Sequence, residues 1–363
     1  MELRDVAALR LRNQHVSGAP LEAPQQVVAW LGAMQSQEYA AAKWSIGQRT
    51  GGASDAVVDA ALADGSILRT HVLRPTWHFV APEDIRWMME LTGPRVAATN
   101  AYWYRKFGLD EALFDKSNAL LRDTLAGGNH LTRKQIASLF DEHGAPAEGL
   151  QLGYLLMRAE LDLLICSGAP KGKQRTYALL EERAPQATSL PRDEALAELT
   201  KRYFTSRGPA TVKDYVAWSG LTVADAKRGL EMVEPPLQQV VAGDWTCWFA
   251  AASPQRPPVS PPPASPTAHL LQGYDEYVMG YGESRGVLDV AGLARIVPGG
   301  GPMFTHAVIL DGQVVGHWRR VPKPKTVAVE VQLAMPLAGA QSAALDDAVA
   351  RYGRFVGLPA TWF

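Results

Sequence analysis

One arrangement of elements recurs three times along this chain: helical segments followed by two strands joined by a short turn. The strand pairs fall at residues 67–80, 163–180 and 237–250. Before each pair, apolar residues recur every three or four positions, as in amphipathic helices, whereas the strands are rich in β-branched and aromatic residues. A recurring unit of this kind is typical of a chain built from similar small domains, so it strongly constrains the fold.

Helix, turn, helix and β-hairpin in this order predict a winged helix. We therefore predict an α+β fold class with three tandem winged-helix units, each a helix-turn-helix plus a β-hairpin, and a β-rich C-terminal region. The predicted domains are residues 1–118 (winged helix 1), 119–188 (winged helix 2), 189–252 (winged helix 3), 253–266 (a proline-rich linker) and 267–363 (the β-rich C-terminal unit).

Local signals support individual elements of this scheme. Thr132 with Gln135, and Thr222 with Asp225, have the spacing of helix-capping boxes. Asp311-Gly312, placed between apolar runs, predicts a tight β-hairpin. In the first unit, the helical patterns cover residues 24–34, 39–49 and 55–62.

The first hairpin contains two histidines that require a separate interpretation. If it is centred on Arg74-Pro75, His71 and His78 are cross-strand partners on one face. A metal site is conceivable, but no third ligand stands at a useful spacing. Packing or phosphate contact is therefore the favoured interpretation, and Trp77 is assigned to the core.

Composition limits the class of protein. The chain has 363 residues, 47% hydrophobic and 20% charged, which is typical of a soluble globular protein. Only two cysteines occur, Cys166 and Cys247, which argues for a reducing compartment and against a disulfide framework. No apolar run is long enough to cross a bilayer, and the charged N-terminus lacks a signal-peptide core. We therefore expect a cytoplasmic, nucleoid-associated protein without a membrane partner.

Basic residues are clustered although the formal net charge is only −1. The clusters fall on predicted hairpins and on a predicted recognition helix, where winged-helix proteins contact phosphates and grooves. A solvated charged face is the alternative for any single cluster. The candidate DNA-binding residues are Arg69, His71, Arg74, Lys171, Lys173, Arg175, Lys227, Arg228, Arg319 and Arg320.

Two other motifs favour structural interpretations. The acidic pair Asp275-Glu276 stands among aromatic residues and could bind a metal, but a structural role in the last unit is the better explanation. The glycine-rich segment 297–302 lacks the Lys-Ser/Thr and the following helix of a phosphate-binding loop, so it is interpreted as an ordinary loop.

Gln35 and Gln37 lie between two helical patterns. If the backbone there is extended, both amides point to the same side. A glutamine amide is too weak a base for ordinary general-base catalysis, but it can donate and accept hydrogen bonds and so orient a water molecule. A water oriented in this way can attack C1′ of the sugar only when the leaving group is good. N7-alkylated guanine is a good leaving group, because it carries a positive charge and departs as a neutral base. From the spacing alone, capping and packing of a helix joint remains the favoured alternative.

Several segments of the chain resemble the AlkZ-type winged-helix DNA glycosylases, and the resemblance covers nearly its whole length. These segments are residues 34–37 (Met-Gln-Ser-Gln), 68–78 (Leu-Arg-Thr-His-Val-Leu-Arg-Pro-Thr-Trp-His), 274–280 (Tyr-Asp-Glu-Tyr-Val-Met-Gly) and 315–320 (Val-Gly-His-Trp-Arg-Arg). In a related branch, the YcaQ type, an acid replaces the second glutamine of the motif. Gln37 therefore places this chain with the Gln-x-Gln branch.

The resemblance implies an enzyme that excises bulky or crosslinking N7-alkylpurine adducts from double-stranded DNA without a metal or cofactor. It assigns catalysis to Gln35 and Gln37, and it allows a role in self-resistance to a DNA-alkylating natural product. Because the nearest lysine, Lys43, is about two helical turns away, we expect a monofunctional glycosylase. We further expect a monomer with both glutamines exposed in a concave basic channel. The alternative is a non-enzymatic winged-helix DNA-binding protein or transcriptional regulator, for which two-fold symmetry is usual.

Overall fold

The computed structural model describes residues 1–250, 266–293 and 306–363. Residues 253–265 of the predicted linker and the glycine-rich segment 297–302 lie outside these ranges. Up to residue 191 the helices and strands are α1 (Leu3–Asn13), α2 (Pro24–Leu31), β1 (Ala33–Gln35), α3 (Tyr39–Gly47), α4 (Asp55–Asp64), β2 (Leu68–His71), β3 (Trp77–Val80), α5 (Ile85–Lys106), α6 (Glu111–Leu125), β4 (Leu131–Thr132), α7 (Arg133–Glu142), α8 (Gly149–Leu161), β5 (Ile165–Lys171), β6 (Gln174–Leu179) and α9 (Leu180–Arg183).

The remaining elements contain most of the β-structure. From residue 192 they are α10 (Arg192–Arg207), α11 (Val212–Ser219), α12 (Val223–Met232), β7 (Gln238–Ala242), β8 (Trp245–Phe249), β9 (Ala268–Leu271), α13 (Glu276–Met279), a 3₁₀ helix (Arg285–Leu288), β10 (Ala307–Leu310), β11 (Gln313–Pro322), β12 (Val327–Leu333), α14 (Gly339–Val356) and β13 (Ala360–Trp362). The prediction of an α+β chain with a β-rich C-terminal region is thereby confirmed.

The described chain divides into two compact units. Unit 1 contains residues 1–58, 197–218 and 222–363, and unit 2 contains residues 59–196 and 219–221. In unit 2, helices α6 to α8 and the sheet β4-β6-β5 enclose an apolar core. The core includes Phe114, Leu121, Ile136, Phe140, Leu152, Leu155 and Leu156.

A five-stranded sheet of order β13-β12-β11-β10-β9 forms the β-rich part of unit 1. Strands β9 to β12 are antiparallel, and β13 runs parallel to β12. Asp311 and Gly312 both have positive φ in the turn between β10 and β11, so the predicted Asp-Gly hairpin is confirmed. Helix α14 packs against this sheet, and its Tyr352 contacts Trp44 edge to face.

Helices followed by a hairpin occur where the sequence predicted them. The hairpin β5–β6 follows α7 and α8, and β7–β8 follows α11 and α12. Both predicted capping boxes are present, because the Thr132 and Thr222 hydroxyls each accept the N–H three residues later. The grouping of these elements into three winged helices with the stated bounds stays a prediction.

Two local predictions are wrong. The helix predicted over residues 24–34 ends at Leu31, because Gly32 takes φ 73° and ψ −54°, which no helix continues. In the first hairpin, His71 pairs with Trp77 and Thr70 with His78, so the two histidines are not cross-strand partners. The turn is centred on Arg74 and not on Arg74-Pro75, so the strand pairing is shifted by one residue from the predicted register. A shift of one residue moves each side chain of a strand to the opposite face relative to its partners.

Both cysteines are free and buried. Burial raises the pKa of the Cys166 thiol to about 12 and that of Cys247 to about 11. The thiolate is the reactive form of cysteine, and a raised pKa keeps the thiol protonated. Both cysteines are therefore packing residues. Over the part of the chain that the structure describes, no helix has the length and apolarity needed to cross a membrane.

Candidate active site

The Gln-x-Gln segment connects β1 to α3 and is not helical. Gln35 is the last residue of β1, and α3 begins only at Tyr39. The extended geometry required for both amides to share one side is therefore present at the start of the motif. Gln37 is exposed, whereas Gln35 is only 5% exposed. The expectation that both glutamines are exposed is wrong for Gln35, because β1 is buried along its whole length.

Arg207 fixes the backbone just before the glutamines. Its Nη1 donates to the Leu31 carbonyl at 2.8 Å and its Nη2 to the Ala33 carbonyl at 2.9 Å. The side chain is fully buried, and its guanidinium carbon lies 4.3 Å from the centroid of the Trp218 ring. A guanidinium that bonds both carbonyls flanking Gly32 holds the chain in the turn that ends α2 and starts β1.

Glu276 completes this arrangement by binding Gln35 itself. Its Oε1 accepts the Gln35 backbone N–H at 2.8 Å. Its Oε2 accepts from Arg207 Nη2 at 2.6 Å and from the Trp218 indole at 2.9 Å. Glu276 is 1% exposed, so the carboxylate charge is compensated by a buried ion pair and by hydrogen bonds. The main chain of the first glutamine is thereby fixed from a segment 241 residues away.

Asp275, the neighbouring acid, fixes the helix that follows the glutamines. Its carboxylate accepts from Arg49 at 2.7 and 2.8 Å and from the Ser45 hydroxyl at 2.6 Å. It also caps α13 by accepting the Tyr277 N–H. Burial raises the pKa of Asp275, but the Arg49 guanidinium and these hydrogen bonds outweigh it and hold the pKa below its usual value. Ser45 lies in α3, and Arg49 is the second residue after this helix.

The two acids therefore act as a structural clamp on the motif, with Glu276 before it and Asp275 after it. This agrees with the structural interpretation of the acidic pair. Among residues 1–250, 266–293 and 306–363, no three His, Cys, Asp or Glu side chains are grouped as metal ligands. Sequence reasoning missed Arg49 and Arg207, the cations of the clamp. Local sequence gave no signal for them, because Arg207 ends a helix with many charged residues and Arg49 lies beyond the end of α3.

Substitution of Gly32 by alanine tests the importance of this turn. A side chain at φ 73° and ψ −54° is strained, so we expect Gly32→Ala to lower the free energy of unfolding by about 1–3 kcal/mol. Gly339→Ala is the matched control, since an added Cβ there meets nothing within 4 Å at the start of α14. Urea denaturation of both variants measures the difference. Equal stability of the Gly32 variant and wild type would show that the turn is not constrained.

Lys43, the lysine nearest to the glutamines along the chain, is held in an ion pair. Its Nζ lies 2.9 Å from Asp55 Oδ1, and the residue is 6% exposed. An amine held in an ion pair with a carboxylate is not an available nucleophile.

Two predicted DNA-binding residues face inward within unit 2. His71 is 6% exposed, and its Nδ1 lies 2.6 Å from Glu160 Oε2. Arg69 is 5% exposed and lies 4.0 Å from the ring centroid of half-buried Trp77. These contacts give both residues a packing role, and the packing interpretation of Trp77 agrees with them. Arg74 is half-buried in the turn of the same hairpin, with Nη2 3.4 Å from His78 Nε2.

The other predicted DNA-binding residues are exposed. Lys171, Lys173 and Arg175 surround the turn of the β5–β6 hairpin, and Lys171 also lines a groove of about 580 Å³ with Lys134 and Gln135. The residues on α12, Lys227 and Arg228, and those on β11, Arg319 and Arg320, are exposed as well. Arg319 is paired across the sheet with Glu330 at 2.5 Å.

Comparisons with known proteins agree on one family. The model of the family described as "DNA glycosylase AlkZ-like" matches residues 28–355. A protein from Streptomyces sahachiroi named "Interstrand DNA cross-link repair glycosylase" is 23% identical over 345 residues, covering 89% of each chain. The solved structure of the Streptomyces sahachiroi DNA glycosylase AlkZ, 20% identical, superimposes over 100% of both chains with a TM-score of 0.81, which shows a shared fold. The chain belongs to the AlkZ-like DNA glycosylase family and is a DNA glycosylase.

Proposed function

We propose that this chain is a monofunctional DNA glycosylase that hydrolyses the N-glycosidic bond of N7-alkylated guanine, using a water positioned by Gln35 and Gln37. The observation that carries the proposal is the clamped, non-helical Gln-x-Gln segment. The buried ion pair Arg207–Glu276 holds the backbone at its start, and the buried ion pair Arg49–Asp275 holds the helix that follows it. A helix joint that served only for packing would not require two desolvated ion pairs, which are costly to bury.

The chemistry suits two neutral amides. As the bond between C1′ and N9 breaks, its electron pair moves to N9, and the cationic N7-alkylguanine leaves as a neutral base. Water oxygen attacks C1′, and the proton it loses passes to bulk solvent. Amide oxygens can accept hydrogen bonds from the attacking water and stabilise the positive charge that develops at C1′. No strong base is required, because the leaving group supplies the driving force.

A water nucleophile also agrees with the surroundings of Lys43. A bifunctional glycosylase needs an unprotonated amine that attacks C1′, whereas Lys43 is buried against Asp55. We therefore propose that the product is an intact strand with an abasic site.

The substrate is proposed to be a bulky or crosslinked adduct. The Streptomyces sahachiroi relative is named for interstrand cross-link repair, and the proposal extends that substrate class to this chain. Self-resistance to a DNA-alkylating natural product is the corresponding biological role. The partner is double-stranded DNA in the nucleoid, bound by a monomer through exposed basic residues such as Lys227 and Arg228.

If Lys227 and Arg228 on α12 contact phosphates, their removal changes the salt dependence of duplex DNA binding. Each phosphate contact contributes about 0.9 to the slope of log K against log salt for duplex DNA. Lys227→Ala combined with Arg228→Ala is expected to reduce the slope by about 2 and to weaken binding at 50 mM salt. Fluorescence anisotropy over a salt series measures it, with Arg202→Ala as a control in which the removed cation is already paired to Glu198. An unchanged slope would remove α12 from the interface.

The reaction type is tested on duplex DNA carrying a single N7-methylguanine. A monofunctional glycosylase yields strand breaks only after alkali, whereas a bifunctional enzyme yields them without it. We expect alkali-dependent breaks at the modified position alone. Breaks without alkali would contradict the water mechanism, and the absence of breaks with N7-methylguanine and with bulky N7 adducts would contradict the proposed substrate class.

A further inference from the structure

An aromatic cluster lies at the surface of unit 2, where the end of α5 meets α8. Trp103 stacks on Phe107 and on Tyr154 of α8, with ring centroids 5.9 and 5.8 Å apart and interplanar angles of 17°. Tyr102 contacts the Trp103 ring edge to face at 5.2 Å. The cluster comprises Tyr102, Trp103, Phe107 and Tyr154, and we call it the α5–α8 aromatic patch.

The patch reaches the surface through Tyr102, whereas Trp103, Phe107 and Tyr154 are half-buried. Tyr102 is 58% exposed, and Leu150, one helical turn before Tyr154 on α8, is 64% exposed. By contrast, Tyr104, two residues after Tyr102, is 9% exposed and packs in the core of unit 2. Tyr104 therefore packs in the core from α5, whereas Tyr102 does not contribute to the core.

Two cations accompany the patch. Lys106 Nζ lies 4.8 Å from the centroid of Trp103 and 5.9 Å from that of Tyr102, within cation–π range. Arg105, the residue before it, is exposed as well. Within the described part of the chain, neither cation forms an ion pair, so both are available to an anionic ligand.

An exposed ring beside unpaired cations is the combination that binds single-stranded nucleic acid. Unstacked bases pack on aromatic faces while basic side chains contact the phosphates. Duplex DNA cannot use such a ring, because its bases are stacked on one another. The edge-to-face contact with Trp103 orients the Tyr102 ring, which reduces the entropy lost when a base stacks on it.

We infer that the α5–α8 aromatic patch binds unpaired nucleotides of DNA, with a base stacked on Tyr102 and adjacent phosphates on Lys106 and Arg105. The inference rests on the proposed function only in taking DNA as the polymer. It adds a second site, which takes nucleotides that are not base-paired.

Binding of a labelled twelve-nucleotide oligothymidine, which forms no duplex, tests this site by fluorescence anisotropy at 50 mM salt. Tyr102→Ala is expected to weaken binding about 5- to 100-fold, since stacking contributes that range per base. Tyr102→Phe keeps the ring and is expected to remain within about 2-fold of wild type. Phe363→Ala is the matched control, because it removes another exposed ring, 63% exposed, from unit 1. Lys106→Gln is expected to weaken binding and reduce its salt dependence.

The outcomes separate this site from the excision chemistry. The inference is overturned if Tyr102→Ala and wild type bind the oligonucleotide equally well, or if wild type does not bind it. The patch would then be a surface for another partner. Excision of N7-methylguanine from duplex DNA is measured on the same variants, and Tyr102→Ala is expected to retain it. If wild type does not excise N7-methylguanine but binds the oligonucleotide through Tyr102, the proposed reaction is contradicted and the inferred binding site is supported.

Discussion

Gln37→Ala is expected to lower the rate of N7-methylguanine excision by about 100-fold or more, the usual effect of removing one group that positions a reacting water or stabilises the transition state. Gln37 is exposed, so its truncation should leave the free energy of unfolding within about 0.5 kcal/mol of wild type. Duplex affinity should stay within about 2-fold. Single-turnover excision with enzyme in excess separates the chemical step from binding.

Gln35→Ala should lower excision to a similar degree, with a larger loss of stability because Gln35 is buried. Its backbone N–H still reaches Glu276 after the substitution, so the strand remains anchored. Gln25→Ala is the matched control, since Gln25 is an exposed glutamine in the first turn of α2. Parallel losses of DNA affinity and excision in the Gln35 and Gln37 variants would instead make the glutamines structural or DNA-binding groups.

Glu276→Ala should produce the largest loss of stability of any substitution considered for this chain. It leaves the fully buried Arg207 guanidinium without its carboxylate, and breaking a buried pair in this way costs about 3–5 kcal/mol. It also removes the acceptor of the Gln35 N–H, so excision by the remaining folded protein should fall as well. Thermal unfolding and single-turnover excision below the unfolding transition measure the two effects separately.

Glu330→Ala is the control for Glu276→Ala. Glu330 also pairs with an arginine, Arg319, but Arg319 has a 71% exposed side chain. Exposed pairs contribute about 0–1 kcal/mol, so this variant should unfold near the wild-type temperature. Similar losses in both variants would show that the Arg207–Glu276 pair has no special importance. Glu276→Gln, which retains an oxygen acceptor for Gln35, should recover more excision than Glu276→Ala.

Short-range sequence signals were sufficient to predict much of this fold. The capping boxes at Thr132 and Thr222 and the Asp311-Gly312 turn depend on residues only a few positions apart, and each was found where the sequence placed it. These signals were sufficient for the α+β class and for the order of helices and hairpins.

The clamp could not be predicted in the same way. Glu276 and Gln35 are 241 residues apart, and no periodicity connects them. The burial of Gln35 follows from tertiary packing of β1, whereas the expected DNA channel had both glutamines exposed on its surface. The register of the first hairpin failed for a related reason: Leu73 takes φ 65°, an uncommon conformation for a bulky residue, and this lengthened the turn. Residue types alone gave no indication of it.

We propose that this chain releases N7-alkylated guanine from DNA by hydrolysis. The direct measurement is mass spectrometry of the small molecules released from a duplex with one N7-methylguanine, after single-turnover incubation with wild type and with Gln37→Ala. We expect free N7-methylguanine and an intact abasic strand with wild type, formed about 100-fold faster than with the variant. Equal release by wild type and Gln37→Ala, or release no faster than in buffer, would contradict it.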